Sequence, residues 1–263
     1  MMGTLAKKVT IRGKSKGYSL TNVSCSLGFV IPKKVRSFME MKMKIANELL
    51  HACPNAALLC FEFEADVKEG STALWEEIDK VQIPKLEANY TTDTLSTHPQ
   101  IKASRQAYKR AGKDPARYRV SSEALMRRIL QEKGLYRVNN MVDCNNSISI
   151  QTGLSCGLYN LDKIEGDVIF RIGKTDEHYE GIGRGKLNIE GLPVFSDALG
   201  AFGSPTSDSV RTMVTLKAKR VLLVMISFSG EDVLNENTEI VQGYLKKYLN
   251  AKNILKTLAR GEM

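Results

Sequence analysis

The chain has no long apolar run and very few histidines. No stretch reaches the roughly 18 apolar residues that a membrane-spanning helix needs, so the sequence predicts no membrane partner. His51, His98 and His178 are the three histidines among 263 residues, and none has the spacing of a metal ligand. We therefore expect neither a metal site nor another cofactor.

Cysteine is also sparse and unpatterned. The five cysteines, Cys25, Cys53, Cys60, Cys144 and Cys156, show no C-x-x-C spacing. An odd, scattered set is typical of reduced thiols in the cytosol rather than of a zinc site or a disulfide framework. The sequence therefore predicts a cytoplasmic protein, with Cys144 as a small buried side chain rather than a nucleophile.

Acidic residues are missing from the first 39 positions. Residues 1–39 carry eight Lys or Arg and no Asp or Glu, and the remainder carries 30 basic and 29 acidic residues. We expect residues 1–40 to be a basic, non-globular leader. The leader is either a targeting segment or sequence that lies upstream of the true translation start. A start at Met39, Met41 or Met43 would place the leader outside the native protein. Residues 41–263 then form a single, nearly neutral domain whose net charge alone does not indicate nucleic-acid binding.

The apolar pattern of this domain predicts an α+β fold, with helices flanking a mainly antiparallel β core. Predicted helices cover 44–52, 74–83, 99–111, 123–133 (capped by Ser121 or Ser122) and 239–258. Predicted strands cover 55–65, 141–150, 167–172, 186–189, 194–195 and 220–228, with 221–226 as a buried central strand.

Two glycine-rich clusters, 180–185 and 200–209, stand out among the predicted turns. In the second, glycines and a proline shape the backbone, and Thr206, Ser207 and Asp208 supply short hydrogen-bonding side chains. The clusters are either pocket-forming loops or ordinary turns between strands. The first lacks the spacing of a dinucleotide-binding loop, and the chain contains no G-x-S-x-G elbow.

Two further groups of polar residues are candidates for binding. Asn145 and Asn146 are adjacent amides that suit a polar ligand or a bound water, with an Asx turn as the alternative. Basic residues recur along the predicted helix 99–111 and near 127, where they either contact phosphates or form a solvated face. These basic residues are Lys102, Arg105, Lys109, Lys113, Arg127 and Arg128.

An ordered series of segments resembles the editing domain of the phenylalanyl-tRNA synthetase beta chain, also called B3/B4. The segments are 127–128, 138–146, 153–162 and 200–210, and the family patterns are R-R, V-N-x-L-V-D-x-T-N, G-x-P-x-H-A-F-D and a glycine-rich loop ending in E-S-x-V. The resemblance covers about 98–228, and the body from Met43 is similar to free-standing members of the family.

The resemblance implies an α+β domain that binds the aminoacylated 3′ end of tRNA and hydrolyses a mischarged ester in trans. Asn146 matches an Asn of the family pattern. Three other positions differ from it: Asn145 stands in place of a Thr, Ser155 in place of a proline and Gly157 in place of a histidine. Ser207 falls near the position of the family's glutamate. The candidate catalytic residues are Asn145, Asn146 and Asp208, where Asp208 is either a weak general base or a residue that only holds the loop in a capped turn. The implied substrate-binding residues are Ser155, Gly157, Ser204, Thr206 and Ser207. The candidate tRNA-binding residues, chosen for their basic side chains, are Lys102, Arg105, Lys109, Arg127 and Arg128.

Three functions fit this sequence. The first is a deacylase of mischarged tRNA, without aminoacylation activity and without DNA as a partner. The second is a non-catalytic module of the same fold that binds tRNA or an amino acid. The third is a small-molecule hydrolase or isomerase that uses the same pocket.

Overall fold

The computed structural model describes residues 42–261, so the predicted leader lies outside the described residues. The strands are β1 (Met43–Ile45), β2 (Ala57–Glu64), β3 (Ser155–Asn160), β4 (Val168–Ile172), β5 (His178–Gly181), β6 (Gly185–Asn188), β7 (Pro193–Asp197), β8 (Gly200–Gly203), β9 (Arg220–Ser227) and β10 (Lys252–Arg260). The helices are α1 (Asn47–Ala52), α2 (Thr72–Glu77), α3 (Ile83–Asn89), α4 (Pro99–Arg110), α5 (Ser121–Leu130), α6 (Asn140–Thr152), α7 (Asp232–Glu236) and α8 (Thr238–Leu249).

Within residues 42–261 the strands form two four-stranded sheets and a hairpin. The first sheet has the order β10-β2-β9-β3 and is antiparallel throughout. The second has the order β1-β4-β7-β8 and is antiparallel except for the β1–β4 pair. Strands β5 and β6 pair with each other. The predicted α+β class, with a mainly antiparallel core flanked by helices, is confirmed.

The first sheet forms the middle layer because both of its faces are buried. Alternate side chains of a strand point to opposite faces. In β9, Leu222 and Val224 pack with residues of the second sheet, whereas Leu223 and Met225 pack with α6 and α8. Burial on both faces explains why β2 and β9 are nearly continuous apolar runs, and the predicted central strand at 221–226 is confirmed between β2 and β3.

The prediction of a strand over 141–150 is wrong, since this segment belongs to helix α6. The Asn139 side chain caps the helix by accepting from the N–H groups of Met141 and Val142. Gly153 ends it in the left-handed conformation, with φ of 72°. The helix is buried on nearly every side, so packing against the middle sheet and neighbouring helices outweighs the local preference of its β-branched residues. Asn145 and Asn146 are therefore helical residues.

Other predicted helix ends also differ from the structure, including those of α8 and α5. Helix α8 ends at Leu249 rather than near 258, because Asn250 adopts φ of 50° and the following residues pair with β2 as strand β10. Helix α5 already includes Ser121, and the capping position is Val120, which provides no side-chain cap.

The cysteines of the described segment are unpaired and buried. Burial raises the pKa of Cys156 to about 12 and raises that of Cys144 further, so neither is a thiolate near neutral pH. The same segment contains no cluster of three or more His, Cys, Asp or Glu side chains suited to a metal ion. None of its helices is both long and apolar enough to cross a membrane.

Candidate functional site

The loop 204–208 between β8 and the turn at Val210–Thr212 is closed by its own hydrogen bonds. The Ser204 hydroxyl accepts from the N–H groups of Thr206 and Ser207, at 3.3 and 3.0 Å, and donates to the Ser207 carbonyl at 2.8 Å. Gly203 and Asp208 form a bridge across the base of the loop. Ser204, predicted to bind substrate, thus holds the loop together.

Among residues 42–261, tyrosine hydroxyls from three separate elements fix this loop. Tyr108 of α4 lies 2.8 Å from the Thr206 hydroxyl. Tyr159 of β3 donates to Asp208 Oδ1 at 2.8 Å, and Tyr179 of β5 donates to the Ser207 carbonyl at 2.6 Å. All three tyrosines are buried. Sequence reasoning missed them because each is remote from the loop along the chain; Tyr159, although it lies in the segment 153–162, carries no sequence signal of its contact with the loop.

The two glycine-rich clusters adjoin in space. The N–H of Ile182, in the turn between β5 and β6, donates to the Asp208 carbonyl at 3.0 Å. Gly181 and Ser209 form an isolated bridge beside this contact. Both clusters therefore border Asp208, with the exposed side chains of Ile182 and Val210 beside it.

Asp208 has an unusual environment for a carboxylate. Burial raises its pKa to about 7, against the opposing effect of the Tyr159 hydroxyl and of the N–H groups of Ser204 and Leu158. Asp208 as a whole is half-buried. Near neutral pH it is present in both its acidic and its basic form, as a group that accepts and returns a proton must be.

Asn145 and Asp208 reach the same outer edge of β3. The Asn145 side-chain N–H donates to the Cys156 carbonyl at 3.1 Å. The Leu158 N–H lies close enough to the Asp208 carboxylate to lower its pKa. Backbone groups of residues two apart in a strand point to the same side, so these contacts lie next to each other. The Cys156 carbonyl can only accept, which fixes the orientation of the amide. Asn145 Oδ1 is then buried without a hydrogen-bond partner among the described residues.

The remaining predicted pocket residues differ in how they are used. Ser155 is buried, and its hydroxyl lies 3.0 Å from that of Ser122 on α5. Gly157 has no room for a side chain, because a Cβ there would lie 2.3 Å from the Tyr159 hydroxyl oxygen. Asn146 and Ser207 are half-buried, and neither side chain has a hydrogen-bond partner within the described part of the chain.

Residues 103–256 match the family model described as the B3/4 domain, which is more than half of the chain. The chain belongs to the B3/4 domain family. The resemblance to the B3/B4 domain of the phenylalanyl-tRNA synthetase beta chain is thereby confirmed. No curated protein matches the sequence. A crystal structure of an N-terminal fragment of the phenylalanyl-tRNA synthetase beta-subunit from Pyrococcus horikoshii is similar at 12% identity, with a TM-score of 0.43. The match covers 83% of this chain and 50% of the fragment, so the chain spans about half of the fragment's length.

The basic residues of this B3/4 domain fall into two groups. Glu123 of α5 is fully buried and is surrounded by arginines. Arg105 donates to both of its oxygens, at 2.9 and 3.1 Å, and Arg127 Nε donates at 2.8 Å. Arg119 Nε lies 3.5 Å away. Arg105 and Arg127 therefore have a structural partner, and their predicted contact with tRNA stays a prediction.

Other basic side chains of the B3/4 domain remain at the surface. Lys102 and Lys109 on α4 are exposed. Arg128 is half-buried, and its guanidinium donates to the carbonyls of Lys133 and Gly134. Residues 102–128 carry nine Lys or Arg against two Asp or Glu, so the nearly neutral domain has a local concentration of positive charge. This segment borders the loop 204–208, where the Ser121 N–H donates to the Pro205 carbonyl at 2.7 Å.

A separate cleft of about 370 Å³ lies at α2 of the B3/4 domain. Arg137 lies over the Trp75 ring there, 4.3 Å from its centroid, and pairs with Asp79 at 3.6 Å. None of the predicted site residues lines it. The full lining is Glu69, Gly70, Ser71, Thr72, Trp75, Glu76, Asp79 and Arg137.

Proposed function

We propose that this B3/4 domain binds the aminoacylated 3′ end of tRNA and hydrolyses a mischarged aminoacyl ester in trans. The observation that supports this most directly is the placement of Asp208. Its carboxylate has a pKa near neutrality and lies at the edge of β3 beside the unpartnered oxygen of Asn145. A base of this strength next to a hydrogen-bond acceptor suits the activation of a water molecule.

In the proposed reaction, Asn145 Oδ1 accepts a hydrogen bond from the attacking water and orients it. The Asp208 carboxylate removes a proton from this water while its oxygen bonds to the ester carbonyl carbon. The tetrahedral intermediate then expels the ribose oxygen, which receives the proton back from the Asp208 carboxylic acid. The products are the free amino acid and tRNA. An aminoacyl ester is already activated, so positioning supplies much of the required rate.

The basic segment 102–128 supports a polyanionic substrate. Phosphate contacts from Lys and Arg dominate the affinity of proteins for nucleic acids. Lys102 and Lys109 are exposed on α4, and the same helix contributes Tyr108 to the loop that carries Asp208. A tRNA backbone lying along α4 would therefore bring its 3′ end toward the site.

A second function, a non-catalytic module that binds tRNA or an amino acid, is favoured by one observation. Gly157 stands where the resembled family has a histidine, and the space beside it is filled by Tyr159. The site thus lacks an imidazole at that position. Such a module would retain affinity for charged tRNA while leaving the ester intact.

Release of labelled amino acid from a panel of misacylated tRNAs tests the proposal. We expect release by the wild-type protein from at least one of these esters, and loss of release in Asp208→Asn with binding retained. Binding without release by the wild-type protein would contradict hydrolysis and support the non-catalytic module. Stabilisation by free amino acids, without binding of any tRNA, would support a small-molecule enzyme.

Selectivity between tyrosine and phenylalanine provides a further test. A site with a dedicated partner for a substrate hydroxyl rejects the analogue without it by about 10⁴–10⁵-fold. Ser207 falls near the family's glutamate and is too short for that role. We expect tyrosyl and phenylalanyl esters of one tRNA to be hydrolysed at rates within about 100-fold of each other. A larger preference for the tyrosyl ester would assign the hydroxyl contact to another acceptor, with Asp208 as the nearest.

A further inference from the structure

Two glycines of different strands make room for one tyrosine hydroxyl. A Cβ at Gly157 of β3 would lie 2.3 Å from the Tyr159 hydroxyl oxygen, and a Cβ at Gly203 of β8 would lie at the same distance. Each would also come within 2.7 Å of ring carbons, on opposite edges of the ring. Real Cβ atoms do not approach this closely. The ring therefore occupies the space that side chains at 157 and 203 would otherwise need.

The position of this ring is fixed on its other sides as well. Tyr159 is fully buried, and its ring makes edge contacts with Phe202 and Phe195, with centroids 4.9 and 6.0 Å away. Its hydroxyl donates to Asp208 Oδ1 at 2.8 Å. A buried tyrosine hydroxyl needs a partner. Here the partner is the Asp208 carboxylate, so a closely packed donor determines where that carboxylate lies.

We propose that Tyr159 is the positioning residue of this site, and that its hydroxyl takes the place of the side chain that Gly157 lacks. The effect of Tyr159 on catalysis rests on the proposed hydrolysis, whereas its contact with Asp208 does not depend on that function. Tyr159 holds Asp208 Oδ1 and so orients the carboxylate beside Asn145. It also stabilises the ionised form of Asp208 through a charge-assisted hydrogen bond.

The titration of Asp208 is the property that this role affects. The ionisable groups nearest to it are Tyr159 from β3 and Tyr179 from β5; Cys156 adjoins Tyr159, and Arg184 adjoins Tyr179. Burial disfavours the Asp208 carboxylate, and the Tyr159 hydroxyl is the main opposing influence. Without that hydroxyl the ionised carboxylate loses a stabilising hydrogen bond while its burial is unchanged, so the pKa of Asp208 rises.

The experiment compares Tyr159→Phe with Tyr108→Phe in the full-length protein. Both variants remove a buried hydroxyl that contacts the same loop, but Tyr108 bonds to Thr206 and not to a carboxylate. The titration of Asp208 is followed by carboxyl ¹³C chemical shift, assigned with Asp208→Asn. We expect Tyr159→Phe to raise the midpoint by about one unit and Tyr108→Phe to leave it in place.

Hydrolysis provides the second measurement. If the titration midpoint of Asp208 rises by about one unit, its ionised fraction at pH 7 falls about fivefold, and kcat/KM should fall by the same factor. The acidic limb of the pH profile of kcat/KM should move to higher pH. An unchanged Asp208 midpoint in Tyr159→Phe, or equal shifts in both tyrosine variants, would overturn the positioning role. Absence of hydrolysis by the wild-type protein would overturn the proposed function, while the ¹³C titration would still decide the role of Tyr159.

Discussion

The loop 204–208 and helix α6 approach the edge of β3 from opposite directions, yet they use their polar groups differently. In the loop, Ser204 and Thr206 are engaged with the loop itself or with Tyr108. In α6, Asn145 donates to β3 and leaves its oxygen without a partner, and Asn146 has none among the described residues.

This difference separates positioning from binding. A hydrogen bond already made within the protein stabilises the loop, and a ligand that takes it over must replace it. A buried polar atom without a partner carries a desolvation cost that a ligand or a water removes. We therefore expect Ser204 and Thr206 of the loop to determine stability and the asparagines of α6 to determine binding.

The largest effect is expected for Asp208, which belongs to the loop and is the proposed base. Asp208→Asn should lower the rate of ester hydrolysis by about 10²–10⁴-fold, because the amide cannot accept the proton of the attacking water. Single-turnover release of labelled amino acid measures the rate. The circular dichroism spectrum should stay unchanged, and a variant that retains more than a tenth of the wild-type rate would exclude Asp208 as the base.

The next effect concerns Gly157, one of the two glycines that make room for Tyr159. Gly157→Ala should reduce the free energy of unfolding by about 1–3 kcal/mol, because the added methyl group cannot fit beside the ring. Gly243→Ala is the matched control. Gly243 is an exposed residue of α8, and a Cβ there would meet no described atom within 4 Å apart from its chain neighbours and the adjacent backbone of its own helix, so alanine should stabilise the protein by about 0.5–1 kcal/mol. Equal changes in urea unfolding for both variants would contradict the steric argument.

The pH dependence of stability provides a third comparison. The pKa of Asp208 is raised to about 7 in the folded protein, above the value of about 3.9 expected for an unfolded chain. The folded state thus binds the proton more tightly. The resulting stability is fully present below about pH 4 and is lost as pH rises through about 7. Unfolding free energies should fall over this range relative to Asp208→Asn, and parallel curves for the two proteins would refute the raised pKa.

The smallest effect on stability is expected in α6. Asn146→Ala should change the free energy of unfolding by no more than about 0.5 kcal/mol, because the amide has no partner to lose among the described residues. Its affinity for charged tRNA should nevertheless fall. Ser204→Ala should show the opposite pattern, with a loss of about 1–3 kcal/mol from broken loop hydrogen bonds. Urea unfolding and filter binding of charged tRNA are measured for both variants. A larger stability loss in Asn146→Ala, with a larger affinity loss in Ser204→Ala, would contradict the assignment of stability to the loop and binding to the helix.

Much of the fold was predictable from local patterns, and the errors have a common origin. Strands β2 and β9 are long apolar runs, and α4 has a proline in its first turn, so local sequence determined these elements. The segment 141–150 was predicted as a strand because it is a short β-type run interrupted by Asp and Asn residues. Burial on nearly every side removes the amphipathic period that would have indicated a helix.

The sequence by itself determined the fold class, the glycine-rich loops and the family, because each depends on residues that are close together in the chain. Only the tertiary structure decided which polar groups are used internally. It paired Arg105 with Glu123, placed Tyr159 between two glycines and left the Asn145 oxygen unpartnered among the described residues. The physical reason is that hydrogen-bond partners and steric neighbours of these groups come from elements far apart in sequence. Burial, which determines the pKa of Asp208, is likewise a property of the packed protein.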